Sequence, residues 1–584
     1  CIRDRSKSIP GPSIVGISQM LDDLNIDAEM APAVRDSSHE NQLPQKDSPN
    51  PWWVPIGNNH ETTNLVNAVI RAIEAAAAEN PKNYFIDIAQ LSPGSPTNSG
   101  KDDFFAQIES ALKTNILDTK KPVVIRYFEG CDSPPGGRAK FKDFKIIQRL
   151  TALATQYENL SLYCGYNTRK VGFLGAENPA SNEENVNYDH LKDQADQAGL
   201  TSIWTSIQSF FKNFAHYSND FFPIAVGWNH AKIFAINKTH LVQGGANFWD
   251  DYLSGSNKPN PIDLATAFQG NAAVGAHYFC NYLWDLLAKN RFFTREAIIG
   301  YKKKAEITAT LETVPAYSTV RISPFGGMVV ASNTLGMTQF EGGEEVFRDI
   351  IMNLLYLLFK GLGYEEVQKW MYATMPVVKT FLQALFPDGN NWDLLNFNDY
   401  SKNPYYVGRY ARNFAMRKAT QFIGLSQHKL GLDEHQVIDK ISPTFKSIIT
   451  TAIKIARPKE NAESIWNEIW YKAIFPIDSM MALASASSID GMSIQIVCSK
   501  TSGAGYNDSI SKQTYLNMIS SLGGNKDTVT FKRTGQFNHS KLTIIDRTLF
   551  NVGSENFYPS YNQEFSLWIQ EKLSLIHISE PTRP

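Results

Sequence analysis

Long apolar runs are missing from this 584-residue chain. The most apolar stretch, 347–359 with its Leu354-Leu355-Tyr356-Leu357-Leu358-Phe359 run, falls short of the roughly 20 residues that a bilayer-spanning helix needs. That argues against a membrane-embedded enzyme. It leaves a buried core helix, or a lid that engages lipid, as readings of the stretch. Charge of one sign is missing too: 56 Lys and Arg against 58 Asp and Glu leave a net charge of −2, so no global field draws in nucleic acid. Cysteine is sparse, with Cys1, Cys131, Cys164, Cys280 and Cys498 the full set. No two have metal-ligand spacing, and the count is too low for a disulfide framework, although one or two bridges would fit. An initiator Met is also lacking, so a signal peptide is neither seen nor excluded and the compartment stays open.

What is present is a stretch that occurs twice. The first copy reads Trp228-Asn229-His230-Ala231-Lys232, then the apolar run 233–236, Asn237, and on to Gly244-Gly245-Ala246-Asn247. The second reads Phe537-Asn538-His539-Ser540-Lys541, then 542–545, Asp546, and on to Gly553-Ser554-Glu555-Asn556. His230 to Gly244 spans 14 positions, as does His539 to Gly553, and each His lies 17 positions before its Asn247 or Asn556. A lone His-x-Lys is noise; two copies with one four-point spacing are not.

Residues two apart on a strand point to one face, so each His and its Lys should project side by side. Asn237 and Asp546 lie an odd number of positions from the His and should leave that face or end the strand in a turn. There a side-chain oxygen can accept from the backbone two residues on, and Asn serves as well as Asp. The two copies together supply two imidazoles for covalent and acid–base work, plus two ammoniums (Lys232, Lys541) and two amides (Asn247, Asn556) for an oxyanion. That kit suits a phosphodiester and calls for no metal or cofactor.

The paired motifs resemble the HKD motifs of the phospholipase D superfamily. Gly244-Gly245-Ala246-Asn247-Phe248-Trp249-Asp250-Asp251-Tyr252-Leu253, Pro261-Ile262-Asp263, Gly270-Asn271-Ala272-Ala273 and Leu283-Trp284-Asp285 are similar to secreted bacterial-type members. So are Gly553-Ser554-Glu555-Asn556-Phe557-Tyr558-Pro559-Ser560 and Gln563-Glu564-Phe565. The likeness covers roughly 225–295 and 490–570, and departs at Asn237, where the family has Asp.

The resemblance implies a double displacement through a phosphohistidine, with His230 as nucleophile and His539 as acid and base. It implies that Glu564 holds His230 and Asp263 holds His539, that Lys232, Lys541, Asn247 and Asn556 bind phosphoryl oxygens, and that Ser554 adds a donor. Trp249, Tyr252 and Tyr558, beside the motifs, could face a quaternary ammonium or simply pack the lobes. The substrate implied is a glycerophospholipid at a membrane surface, with water or an alcohol as acceptor and no nucleic acid. The alternatives are a nucleic-acid phosphodiesterase of the same superfamily, a relative decayed at Asn237, and a non-catalytic binding protein.

Helical periodicity at 64–78 and apolar strands at 84–88, 123–127 and 160–164, with helices at 104–112 and 144–153, predict an α/β fold. Each of two similar lobes should carry a mixed, mostly parallel sheet flanked by helices, with the site at the pseudo-two-fold interface. The expected layout is a flexible leader over 1–50, one lobe over 51–295, a connector over 296–317 with Lys302-Lys303-Lys304, and a second lobe over 318–574. Residues 335–405 read as an insertion, and 575–584 and 1–6 as foreign to the fold. Sequons at Asn159, Asn237, Asn507 and Asn538 read as chance, since two fall inside the motifs.

Overall fold

The computed structural model of the chain describes residues 13, 16–17, 53–56, 64–91, 103–131, 144–168, 229–237, 239–252, 261–270, 272–289, 298–300, 328–334, 407–428, 430, 459, 461, 463, 476–499, 512–534, 537–557 and 562–570. The insertion at 335–405, the Lys302-Lys303-Lys304 run, the apolar 347–359 stretch, Tyr558, Asn507 and the 575–584 tail lie outside them.

The first half runs β1 (Trp53–Ile56), α1 (Asn64–Ala78), β2 (Tyr84–Leu91), α2 (Asp103–Asn115), β3 (Val123–Cys131), α3 (Lys145–Gln156), β4 (Leu160–Thr168), β5 (Ile233–Ile236), β6 (His240–Gly244), β7 (Asp263–Gln269), α4 (Ala272–Lys289) and β8 (Ile298–Gly300). The second runs β9 (Met328–Thr334), α5 (Val407–Lys418), β10 (Phe422–Gln427), α6 (Ile477–Ser487), β11 (Ser493–Ser499), α7 (Lys512–Ser521), β12 (Val529–Thr534), β13 (Lys541–Ile545), β14 (Leu549–Gly553) and β15 (Glu564–Gln570). Among the described residues the strands form two sheets, β1-β7-β6-β5-β2-β3-β4-β8 and β12-β11-β10-β13-β14-β15-β9. Apart from β8 and α4, each strand and helix of one half has its mate at the same place in the other. The fold is therefore α/β, with two mixed sheets flanked by helices.

Parallel pairing is narrower than the helix–strand alternation suggests. It joins β2 to β3 to β4 and β10 to β11 to β12, where helices make the crossovers. The remaining pairs are antiparallel. The reason is local: the motif strands β5 and β13 turn straight back into β6 and β14, and so short a link permits only an antiparallel ladder. Two further details differ from the sequence reading. Ile17, inside the stretch read as a flexible leader, is fully buried in the core. Ile298–Gly300, inside the stretch read as a connector, pairs with β4 as an edge strand.

Helix α1 shows why these segments fold as they do. Leu65, Val66, Val69, Ile73 and Ala76 recur at helical spacing and are all buried. Helix α4 buries Phe279, Leu283 and Trp284; the Phe279 ring lies 5.7 Å from Phe565 of the other half. The halves are also stitched by backbone. The N–H of His230 donates to the Gln563 carbonyl at 2.9 Å, that of His539 to Ile262 at 2.7 Å, and that of Ile262 to Phe537 at 2.8 Å. Each stitch ends at or beside a motif histidine, so the lobe contact and the placement of the imidazoles are one feature.

Candidate active site

Each motif strand is buried along its whole length, which fixes the register of the residues before it. The asparagine ahead of each histidine sets the approach. Asn229 donates to the Gln90 carbonyl at 3.1 Å and accepts from the Ala231 N–H at 3.2 Å. Asn538 donates to Gln427 at 3.5 Å and accepts from the Ser540 N–H at 3.1 Å. Its burial also leaves no room for a glycan at that sequon.

The structure brings His230, Lys232, His539, Lys541, Asp263 and Glu564 together, and it crosses them between halves. Nδ1 of His230 is 3.0 Å from the Glu564 carboxylate, and Nδ1 of His539 is 2.7 Å from Asp263 Oδ2. Both acids stand at the first residue of the strand that pairs with the motif hairpin, β7 or β15. Each ring is therefore held at Nδ1 by an acid of the other half. Nζ of Lys541 lies 2.9 and 3.0 Å from the two nitrogens of His539, and Lys232 donates to the His230 carbonyl.

Five of the six side chains are buried and His539 is partly so, and their protonation reflects it. Burial pushes Lys232 down to about 7, with Lys541 adding to the drop, and pushes Lys541 down to about 8. Burial drives His539 well below its usual range, helped by Lys541, Lys232 and His230. His230 is lowered mainly by burial, against the pull of Glu564. The acids diverge. Burial raises Asp263 to about 6, whereas Glu564 stays below the usual carboxylate range because His230, Lys232 and Ser554 outweigh its burial. The first dyad thus holds a firm carboxylate and the second a soft one.

The other sequence candidates fall in several places. Asn247 and Asn556 are buried, 2% exposed each, just past the glycine turns. Gly244 and Gly553 allow close passage: a Cβ on Gly244 would sit 2.5 Å from the Ala265 backbone, and one on Gly553 2.5 Å from the Phe565 carbonyl. Ser554 is fully buried; its hydroxyl donates to Glu564 and accepts from the Phe565 N–H. Tyr252 turns its hydroxyl inward, 3.1 Å from Nδ1 of His539 and 3.3 Å from Asp263. The half-buried Trp249 gives its indole N–H to the Leu91 carbonyl at 3.2 Å. Asn237 and Asp546 sit in left-handed turns with φ of 50° and 48°. Contrary to the sequence expectation, their acceptors serve a neighbouring strand rather than the residue two positions on. Asn237 takes the Phe85 N–H at 2.9 Å, and Asp546 takes the N–H groups of Thr420, Gln421 and Phe422. Both clamp the start of the neighbouring strand, away from the imidazoles. Among the described residues no group of three or more His, Cys, Asp and Glu could hold a metal ion.

Similarity to known proteins is local. A phospholipase D of Streptomyces antibioticus is 33% identical over 67 residues, 11% of this chain and 12% of the relative. The aligned part therefore spans about an eighth of that protein's length. No family model matches. Among solved structures, a phosphatidylserine synthase of Haemophilus influenzae covers 92% of this chain and 86% of its own at 11% identity, with a TM-score of 0.38. The phospholipase D family member Nuc of Salmonella typhimurium covers 30% of this chain and 86% of its own at 14% identity, with a TM-score of 0.17.

Three site features escape sequence reasoning. Asn229 and Asn538 carried a usable signal, because an Asn precedes the His in both copies. His428 carried none: it follows β10, and only the fold sets its ring 4.9 Å from that of His539. Nothing in the chain order announces that contact, since the two lie 111 positions apart. The third is a buried chain behind the first motif. Arg126 grips Asp87 through two nitrogens at 2.6 and 2.7 Å, Asp87 meets His277 Nδ1 at 2.7 Å, and His277 Nε2 reaches the Asn237 carbonyl.

Proposed function

We propose that the chain is a metal-independent phosphodiesterase of the phospholipase D superfamily that cleaves the head-group side of glycerophospholipids. The observation that carries this is the crossed pairing, His230 with Glu564 and His539 with Asp263, each histidine held at Nδ1 by an acid from the other half. An acid bonded to Nδ1 fixes the tautomer and stabilises the imidazolium, which a nucleophilic or proton-transferring histidine needs.

In this reading Nε2 of His230 attacks phosphorus. The bound anionic phosphodiester offsets the cations that depress His539 and lets its ring take up a proton. The bond from phosphorus to the head-group oxygen breaks, and His539 gives that oxygen this proton. Water or an alcohol then loses a proton to His539 and attacks the same phosphorus. The phosphorus–nitrogen bond breaks, and phosphatidate or a new phosphatidyl ester leaves. Lys232 and Lys541 neutralise the phosphoryl oxygens. An anionic oxygen is a stronger acceptor than an imidazole, so substrate draws Lys541 away from His539. The Asn247 and Asn556 amides add neutral donors.

A lipid rather than a nucleic acid is favoured by the net charge of −2 and by the name of the locally similar curated protein. The inward turn of the Tyr252 hydroxyl and the bonded Trp249 indole leave choline recognition to resemblance rather than to these two side chains. The test is to incubate the protein with phosphatidylcholine vesicles and 1-butanol. Phosphatidylbutanol should form, and His230→Ala should abolish it. No lipid turnover on several head groups, together with cleavage of a single-stranded oligonucleotide, would contradict the lipid reading.

A further inference from the structure

Among the differences between the two half-sites is one matched pair of positions, the second turn residue and the acid. In the first, the second turn residue is Gly245 and the acid is Asp263; in the second they are Ser554 and Glu564. The surrounding backbone is alike. Gly245 N–H donates to the Leu264 carbonyl at 3.1 Å, and Ser554 N–H to the Phe565 carbonyl at 3.1 Å. Each half must also satisfy one buried N–H on the residue after the acid, and each does so differently. Leu264 N–H is taken by Oδ1 of Asp263 itself, at 2.8 Å. Phe565 N–H is taken by the Ser554 hydroxyl at 3.1 Å, and that hydroxyl donates its own hydrogen bond to Glu564.

The exchange is steric as well as polar. A Cβ on Gly245 would stand 2.4 Å from Asp263 Oδ1 and 3.2 Å from Cδ of Lys541, so the short acid occupies the space a serine would need. The longer Glu564 leaves that space open, and a serine fills it.

Resting on the phosphodiesterase reading, we infer that turn residue and acid length form one interlocked unit in each half, Gly245 with Asp263 and Ser554 with Glu564. Ser554 is then a positioning residue that acts on His230 through Glu564, rather than a phosphate ligand. Its hydroxyl proton is committed to Glu564 and its side chain is fully buried. Tyr252 is its counterpart on the other side, reaching Asp263 at 3.3 Å from a different element. The two histidines are thereby held by non-equivalent acids, one braced by a serine from its own turn, the other by its own backbone and a phenol.

A four-member cycle tests the interlock: parent, Gly245→Ser, Asp263→Glu, and the double variant, each read for kcat, KM on vesicles and Tm. Each single change should lower kcat by about tenfold or more with KM within about twofold, and the double should recover to within about threefold of the parent, with Tm recovering alongside. The reciprocal cycle, Ser554→Gly with Glu564→Asp, makes the same comparison by opening space instead of filling it. Singles that multiply in kcat and add in Tm in both cycles would overturn the inference. If the parent turns over no phosphodiester, the functional reading falls, while the Tm cycles still decide the interlock. Ser554→Ala should lower kcat about tenfold with KM unchanged; a rise in KM with kcat intact would return Ser554 to the role of ligand.

Discussion

Lys232, only 1% exposed, is the residue on which the pH behaviour turns. Oxyanion binding needs both ammoniums charged, and burial leaves them at about 7 for Lys232 and about 8 for Lys541. Raising pH through that range strips their protons and the rate should fall. On the acid side, Asp263 must be ionised to hold His539, and burial sets its carboxyl at about 6, so lowering pH through that value should cost activity too. The profile of kcat/KM is therefore expected to be a narrow bell centred between the two limbs. Its alkaline limb is checked by Lys232→Arg, whose guanidinium keeps its charge. That variant should be slower but should lose its rate at higher pH. An unmoved alkaline limb would show that the ammoniums do not set it. At this scale the sequence was readily legible for His, Lys and Asn, because a repeat with fixed spacing marks them, while the two acids, at unequal distances from their histidines, were implied by the family resemblance. It was illegible for the direction of the Tyr252 hydroxyl and for His428, which depend on which strand ends meet.

The turn that ends each motif strand does structural work, so the Asn237 departure should matter little to chemistry. Both turn residues sit at positive φ, which Asn and Asp tolerate, and both accept N–H groups that begin the next strand. Asn237→Asp is expected to change kcat by less than about threefold; a gain of tenfold or more would show that Asn had impaired the motif. Asp546→Ala is the contrasting case. It strips three backbone N–H groups and the Thr420 hydroxyl of their acceptor and should cost about 1–3 kcal/mol or more, read as a fall in Tm. Behind the first turn, Arg126→Met leaves Asp87 buried with His277 alone and should destabilise by about 3–5 kcal/mol, while activity well below Tm persists. Of the strong apolar runs, 233–236 was read from sequence at its observed bounds and 542–545 one residue short of them. Helix α6 was not, because its Ala, Ser and Met residues draw no clear stripe, and β7 and β15 were hidden by the motif residues at their first positions.

For the whole molecule, the repeated halves meet so that neither completes a histidine–acid pair alone. His230 leans on an acid from β15 and His539 on one from β7, while backbone bonds at Gln563, Ile262 and Phe537 lock the approach. The two-lobed α/β plan was legible because strand and helix patterns recur in order. The large antiparallel share was not, since hairpin closure depends on turns only a few residues long. The crossing also gives the histidines unequal partners, with the firm carboxylate beside His230 and the soft one beside His539. The most direct test uses a phosphatidyl ester of p-nitrophenol, whose leaving group needs no proton. His539→Ala should release about one p-nitrophenol per site in a burst and retain a phosphatidyl adduct on His230, seen by intact-mass measurement, whereas His230→Ala should show neither. A burst and adduct in His230→Ala, or in neither variant while the parent turns over, would contradict the account.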